Sequence, residues 1–323
     1  MEPKTLQEAV EYFASEKNCR EYLVARRWPG GKVTCPRCGS ENVRFSDKYN
    51  RWQCGSHHER RQFTLKTGTV FEESPVGLDK WLTALWMLVN CRNGVSSWEI
   101  HRTIGVTQKT AWFMLHRLRL AMQGRSTVKL GGSGGEVEAD ETFIGGKARN
   151  MHKDVRMRRI RGQGFNVEDK ATVMGILERG GTVRAQVVPD RKKETLQPLV
   201  RKHVTSGSAL FTDELVGYQG LDGEYRHRIV DHATRYVDGN VHTNGMENFW
   251  SLLKRGLNGT YVAVEPFHLF RYLDEQMFRF NNRKEGNKKV TDAERFSMAL
   301  SQVAGKRLTY AELTGKVGEI EAS

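Results

Sequence analysis

The chain has 323 residues, enough for two domains, and its 51 lysines and arginines exceed its 38 aspartates and glutamates by a formal charge of +13. Such a basic protein usually binds a polyanion, most often nucleic acid, although a purely solubilising charge excess is the alternative. The longest apolar run, residues 81–90, is too short to span a bilayer. The acidic, helix-patterned N-terminus is unlike a signal peptide. We therefore expect a cytoplasmic protein with no membrane partner.

The N-terminal part of the chain divides into a helical segment and a candidate metal module. Residues 1–30 have the apolar spacing of short amphipathic helices. Residues 31–75 contain the pattern C-x2-C-x15-C-x2-H, in which two turns each present two ligands and can close a tetrahedral structural zinc site. The predicted ligands are Cys35, Cys38, Cys54 and His57. His58 is the alternative fourth ligand, because it adjoins His57.

The cysteine count supports this interpretation. Five cysteines, three of them clustered, favour a metal site over disulfides. Several arginines crowd the same module, which makes DNA its expected contact, with a protein partner as the alternative.

Residues 76–130 have the pattern of a helix-turn-helix domain. An apolar-patterned helix precedes Gly105, which supplies the turn, and Thr107 is the expected cap of the second helix. The start of that second helix enters the major groove in such units. Gln108 and Lys109 are therefore the predicted groove-facing residues.

The glycine-rich stretch 131–135 is the clearest linker, and a second domain is predicted over 136–285. Asp140 is predicted to end an alternating strand, Asp213 to end a buried strand, and Glu247 to open an amphipathic helix. Three carboxylates that converge repel one another unless cations neutralise them. Oxygen ligands suit Mg²⁺ or Mn²⁺, and two such ions could support phosphoryl transfer.

Taken together, these segments resemble the zinc-ribbon DDE transposases of bacterial insertion sequences over about residues 20–285. The motifs that carry the resemblance are CPRCGS, TGTVFEES, AWFMLHRLRLAM, ADETFIGGK, TDELVGY and HTNGMENFWSLLKRG. The resemblance implies an α/β fold with a ribonuclease-H-like mixed sheet flanked by helices, preceded by a small zinc ribbon and a helix-turn-helix. It also implies that Asp140, Asp213 and Glu247 bind the catalytic metal and that Lys254 is the basic residue following them.

The implied activity is metal-dependent nicking of the element ends, followed by attack of the freed 3′-hydroxyl on target DNA. The implied partner is double-stranded DNA, both element ends and target, bound by at least a dimer of the chain. A ribonuclease-H-like nuclease that cuts without joining is one alternative. A DNA-binding regulator with an inert C-terminal domain is another.

Four further positions, one in the ribbon and three near the carboxylates, require separate interpretation. The ribbon's fourth ligand is usually cysteine in the resembling proteins, whereas this chain has histidine there. Some relatives use asparagine as the third active-site residue, and Asn244 is the alternative to Glu247. His242 is expected either to contact a phosphate or to cap the helix, and Tyr218 is expected to pack.

Basic residues beyond the helix-turn-helix are further candidates for DNA contact. The basic run 147–162 includes Arg158 and Arg159. It is expected to be either a solvated loop or a loop that binds DNA. Lys254 and Arg255 end the Glu247 helix and are expected to face phosphates. Residues 286–323 are expected to form a polar tail.

Overall fold

The computed structural model describes residues 2–124, 127–145, 170–230 and 242–316. The chain forms two units, one made of residues 1–123 together with 287–323, the other of residues 124–286. No helix in these described ranges is long and apolar enough to cross a membrane. The predicted DNA contacts Arg158 and Arg159 lie outside the described residues.

The first unit combines a small antiparallel sheet with a helical bundle. Its sheet has the order β1-β2-β3. Its elements are α1 (Leu6–Phe13), α2 (Glu16–Arg27), β1 (Val43–Ser46), β2 (Arg51–Cys54), β3 (Gln62–Phe63), α3 (Leu78–Asn90), α4 (Ser97–Ile104), α5 (Gln108–Ala121), α9 (Asp292–Ser301) and α10 (Tyr310–Thr314). The central helix is α3, because residues 81–86 are all buried.

Helices α4 and α5 are joined by a short turn at the predicted place. Gly105 ends α4 with φ 63°, in the left-handed region that glycine adopts without strain. The Thr107 side chain then caps α5 by accepting a hydrogen bond from the Thr110 backbone N–H at 3.1 Å. The glycine turn and the threonine cap are therefore both as the sequence indicated.

The C-terminal segment differs from the predicted polar tail. Residues 292–314 contain α9 and α10, and each helix begins with a capping box. The Phe296 ring lies 5.0 Å from the Trp86 ring and 5.7 Å from the Phe13 ring, between centroids. This segment completes the core of the first unit because its apolar face is buried there.

The second unit is built on a five-stranded mixed sheet of order β6-β5-β4-β7-β8. The three strands β4, β5 and β6 are antiparallel neighbours, whereas β7 runs parallel to both β4 and β8. The strands are β4 (Glu136–Ile144), β5 (Ala171–Glu178), β6 (Val183–Val188), β7 (Ala209–Thr212) and β8 (Arg226–Ile229). The predicted hairpin turn is present between β5 and β6, with Gly180 at φ +75°.

Helices cover both faces of this sheet. They are α6 (Lys193–His203), α7 (Asn244–Arg255) and α8 (Leu269–Asn281). One core lies on the α6 side and includes Leu196, Val200 and Tyr218. The other lies on the α7 and α8 side and includes Phe249. This mixed sheet between helices is consistent with the ribonuclease-H-like architecture that the family resemblance implied.

Helix α7 lies unusually close to the sheet at one point. A Cβ atom at Gly175 of β5 would lie 2.2 Å from Met246 Cε and within 2.8 Å of the Trp250 ring. Only glycine leaves room for these two side chains. Gly175 therefore sets how closely α7 approaches β4 and β5.

Candidate functional site

Four potential metal ligands converge in the small sheet of the first unit. The ligand atoms of Cys35, Cys38, Cys54 and His58 all lie within 4.8 Å of one another. The Sγ atoms of Cys38 and Cys54 are 3.6 Å apart, and Cys35 Sγ lies 3.5 Å from His58 Nε2. Tetrahedral zinc with ligand bonds of about 2.0–2.3 Å has edges of roughly 3.5–3.8 Å. The donor set and its dimensions thus fit a structural zinc ion.

The fourth member of this cluster is His58, which corrects the prediction of His57. The His57 side chain is exposed, whereas His58 is partly buried. His58 Nδ1 lies 2.6 Å from the Glu59 carbonyl oxygen. A bond of Nδ1–H to that oxygen orients the ring and leaves Nε2 available as a ligand.

The second candidate site surrounds Asp140, which lies in the middle of β4 and not at the end of a strand as the sequence predicted. Asp140 Oδ2 accepts a hydrogen bond from Trp250 Nε1 at 2.9 Å, and its Oδ1 accepts the Glu141 backbone N–H at 2.8 Å. Burial raises the pKa of Asp140 to about 6, and the hydrogen bond from Trp250 acts in the opposite direction. The negative charges of Asp213 and Glu247 raise this pKa further.

The three predicted carboxylates come from three separate elements of the second unit. Asp213 directly follows β7, the parallel neighbour of β4, and Glu247 lies in the first turn of α7. Glu247 is exposed and Asp213 is partly buried. Carboxylates that lie close together repel one another, and a bound divalent cation relieves that repulsion. An all-oxygen donor set fits Mg²⁺ or Mn²⁺.

A fourth carboxylate, on the other face of β4, borders this group. Burial raises the pKa of Glu141 to about 8, and the charges of Asp213 and Asp140 add to the effect while Arg191 opposes it. Glu141 also accepts a hydrogen bond from the hydroxyl of Tyr218. Tyr218 is fully buried, so it packs as expected and also holds this carboxyl.

A buried ion pair lies beside the N-terminus of α7. Glu138 is 1% exposed, and its carboxylate accepts hydrogen bonds from Arg179 Nε at 2.8 Å and from the Met246 backbone N–H at 2.9 Å. Arg179 also binds Glu136 at 3.1 Å and the His242 carbonyl oxygen at 2.5 Å. This network joins β4 to the chain that enters α7.

The remaining predicted residues near the carboxylates occupy the following places. The His242 ring lies against the ion pair, with Nδ1 3.6 Å from Glu138 Oε1. Asn244 is exposed at the first position of α7, and Lys254 and Arg255 are exposed in its last turn.

The two predicted groove-facing residues lie at the start of α5. Gln108 is partly buried and donates to Ser97 Oγ at 2.8 Å. Lys109 is exposed, with Nζ 4.8 Å from the centre of the Tyr310 ring. Tyr310 comes from the C-terminal segment, which sequence reasoning did not connect with this helix.

Sequence reasoning missed Glu138, Glu141, Arg179 and Trp250. The alternation of β4 contains a usable signal, since Glu138 shares a strand face with Asp140 and lies between the buried residues Val137 and Ala139. A buried carboxylate needs a partner, but nothing in the local pattern indicates Arg179 as that partner.

Comparisons with known proteins match the two regions of the chain that contain these candidate sites. Residues 132–281 match the ISXO2-like transposase domain, and residues 14–58 match a transposase zinc-ribbon domain. The chain is 30% identical over 277 residues to the "Uncharacterized protein in transposable element ISH50" of Halobacterium salinarum, covering 82% of this chain and 90% of that protein. It is 35% identical over 97 residues to an "Uncharacterized transposase-like protein" of Haemophilus influenzae, covering 30% of this chain and 78% of that protein.

Proposed function

The chain belongs to the ISXO2-like transposase family, and on that premise we propose that it cuts the ends of its own element and joins them to target DNA. The observation that carries this proposal is that Trp250 of α7 donates a hydrogen bond to Asp140 on β4, whose parallel neighbour β7 ends just before Asp213. The three predicted carboxylates come from β4, the end of β7 and the start of α7. Three carboxylates from these positions can together act as ligands for divalent cations.

The proposed reaction has two phosphoryl-transfer steps. In the first, a water oxygen attacks the phosphorus at the element end and the P–O3′ bond breaks, which leaves a 3′-hydroxyl and a 5′-phosphate. In the second, that 3′-hydroxyl attacks a target phosphodiester and displaces a 3′-oxygen of the target strand. Divalent cations bound by the carboxylates would supply activation of the attacking oxygen and charge stabilisation for the leaving oxygen.

The chain's own residues would hold this arrangement in place. Trp250 orients the Asp140 carboxylate through its 2.9 Å hydrogen bond. Lys254 lies seven residues after Glu247, roughly 10 Å along the same helix face, where its ammonium group can bind a DNA phosphate. Arg255 follows it in the same exposed turn.

The first unit would supply DNA recognition. Gln108 and Lys109 begin α5, the helix expected to read a groove, and the ribbon adds basic surface. A structural zinc ion would hold the ribbon together. Two element ends must be cut and joined, so we propose at least two copies of the chain on DNA.

The test is Mg²⁺-dependent cleavage and strand transfer on DNA carrying the element's own ends. Wild type is compared with Glu247→Gln and with Glu194→Gln, because Glu194 is also an exposed glutamate in the first turn of a helix. We expect wild type and Glu194→Gln to nick and join, and Glu247→Gln to bind DNA without doing either.

Each other result supports a different function. Cutting without joining by wild type would favour a nuclease. DNA binding without cleavage by every protein would favour a regulator. Full activity of Glu247→Gln would indicate that Asn244, and not Glu247, is the third metal ligand.

A further inference from the structure

The chain that carries Glu247 into the candidate site has an unusual helix start. Within the described residues, no hydrogen bond from the Thr243 side chain caps α7. An α-helix leaves its first backbone N–H groups without intrahelical partners, and a side chain at the N-cap normally binds one of them. Here the Glu138 carboxylate, from strand β4, accepts the Met246 N–H at 2.9 Å. The cap of α7 therefore comes from the sheet.

Two glycines make room for this docking. A Cβ atom at Gly245 would lie 2.8 Å from Glu138 Oε2 and 2.8 Å from Leu177 Cδ2. Such contacts are too short to be tolerated, so any larger residue would move either the helix or the carboxylate. Gly175 gives the equivalent room for Trp250 further along α7.

These contacts bracket Glu247 in the sequence and in space. Met246, the residue before it, is bound to Glu138, and Trp250, three residues after it, is bound to Asp140. Glu138 and Asp140 lie two residues apart on one face of β4, about 7 Å along the strand. Two hydrogen bonds from α7 to the single strand β4 thus fix both the position of the helix over the sheet and its rotation about its own axis. This is the helix that carries Glu247.

Arg179 extends the same network to a second strand. Its guanidinium group neutralises Glu138, holds the His242 carbonyl oxygen just before α7, and lies 4.1 Å from the centre of the Phe211 ring. Phe211 is in β7, the strand that leads to Asp213. The ion pair therefore touches the elements that carry all three predicted metal ligands.

From this arrangement we propose that Glu138, paired with Arg179, is a positioning residue that sets the place of Glu247 relative to Asp140 and thereby the metal affinity of the site. The inference rests on the proposed function, because it takes these carboxylates to bind divalent cations. Groups that orient metal ligands typically change metal affinity by about 10- to 100-fold when they are removed. We expect a change of that size without loss of DNA binding.

The direct measurement is Mn²⁺ binding to the DNA-free full chain by electron paramagnetic resonance, which counts free Mn²⁺. Glu138→Gln keeps the shape and one acceptor oxygen but removes the charge that Arg179 and the helix N-terminus require. Gly245→Ala keeps the Glu138 side chain but moves either the helix or the carboxylate out of its present position. Both variants should raise the Mn²⁺ dissociation constant at least about tenfold.

The control separates positioning from general loss of stability. Val200→Ala removes buried methyl groups from α6, whose core lies on the opposite face of the sheet. It should lower stability and leave Mn²⁺ affinity unchanged. In cleavage assays, Glu138→Gln should need more Mn²⁺ for half-maximal activity and recover at saturating Mn²⁺, which a partly unfolded protein would not do.

Two results would overturn the inference in distinguishable ways. Unchanged Mn²⁺ affinity in folded Glu138→Gln and Gly245→Ala, while Asp140→Asn abolishes binding, would overturn the positioning role alone. Wild-type binding that is absent, or that Asp140→Asn does not alter, would overturn the metal site and the proposed function with it. Glu138→Gln is nearly isosteric, so it decides the question even if Glu138→Ala fails to fold.

Discussion

The raised pKa of Glu141 leads to a prediction of how the stability of the protein depends on pH in the absence of Mg²⁺ and Mn²⁺. The Glu141 carboxyl is partly buried near the charges of Asp213 and Asp140, which raises its folded-state pKa from an ordinary value of 4.5 to about 8. The native protein therefore binds this proton more tightly than the unfolded chain does. Stability that this group contributes is present at low pH and is lost as the pH rises from 4.5 towards 8.

The magnitude follows from the two pKa values. Between them, each pH unit lowers the free energy of unfolding by about 1.4 kcal/mol. From pH 6 to pH 8, ionisation of Glu141 should therefore lower the free energy of unfolding of wild type by about 2 kcal/mol. The decrease levels off near the folded-state pKa of this group. Asp140 adds little in this window, because its pKa of about 6 places most of its effect at lower pH.

The perturbation is Glu141→Gln, which removes the titration and keeps an acceptor for the Tyr218 hydroxyl. The variant should lack most of this decline and be more stable than wild type at pH 8. Hydrogen exchange with mass spectrometry on peptides from β4 and β5 gives the opening free energy of this unit separately from the first unit. Titrating groups that do not interact with Glu141 contribute equally to both proteins and cancel in the comparison.

Glu214→Gln is the matched control, because Glu214 is an exposed glutamate beside Asp213. It should follow wild type across the whole pH range. Equal pH dependence of wild type and Glu141→Gln would refute the reasoning. Mg²⁺ should reduce the wild-type decline, since a cation at the neighbouring carboxylates offsets their repulsion.

Three further predictions concern the zinc cluster, the docking of α7 and DNA contact. His58→Ala should weaken zinc retention by the full chain, whereas His57→Ala should not, as measured by zinc release to a chromogenic chelator. Gly175→Ala should destabilise the second unit by about 1–3 kcal/mol through overpacking against Trp250, as measured by hydrogen exchange; an unchanged opening free energy would contradict the close approach. Lys254→Gln should weaken DNA binding similarly for all sequences and reduce the salt dependence by about one phosphate contact, as measured by fluorescence anisotropy over a salt series.

Local sequence signals predicted the features that depend only on residues close together in the sequence. The turn at Gly105 and the cap at Thr107 follow from backbone preference and a side chain three residues away. The β5–β6 hairpin around Gly180 follows from two apolar runs with a glycine pair between them. Each of these features is decided within about ten residues, so periodicity and turn chemistry were sufficient.

The choice of zinc ligand shows how a short-range pattern can fail. Both His57 and His58 lie close enough to Cys54 for a ligand pair, and the regular spacing favoured His57. What selects His58 is the path of the turn, in which Arg60 adopts φ 52° and the Glu59 carbonyl oxygen lies 2.6 Å from His58 Nδ1. A spacing rule carries no information about that turn.

The Glu138–Arg179 pair and the C-terminal helices were missed for a different physical reason. Arg179 lies 41 residues from Glu138, and they meet only because β4 and β5 pair in the register that sets Glu138 opposite Leu177. Likewise Phe296 needs an apolar partner, and the residues that bury it, Phe13 and Trp86, lie far away in the sequence. A burial requirement can be inferred from a single sequence, whereas the partner that meets it is decided by the fold. A buried carboxylate in a predicted strand, or an apolar helix in a supposed tail, is therefore best treated as evidence of a long-range contact still to be found.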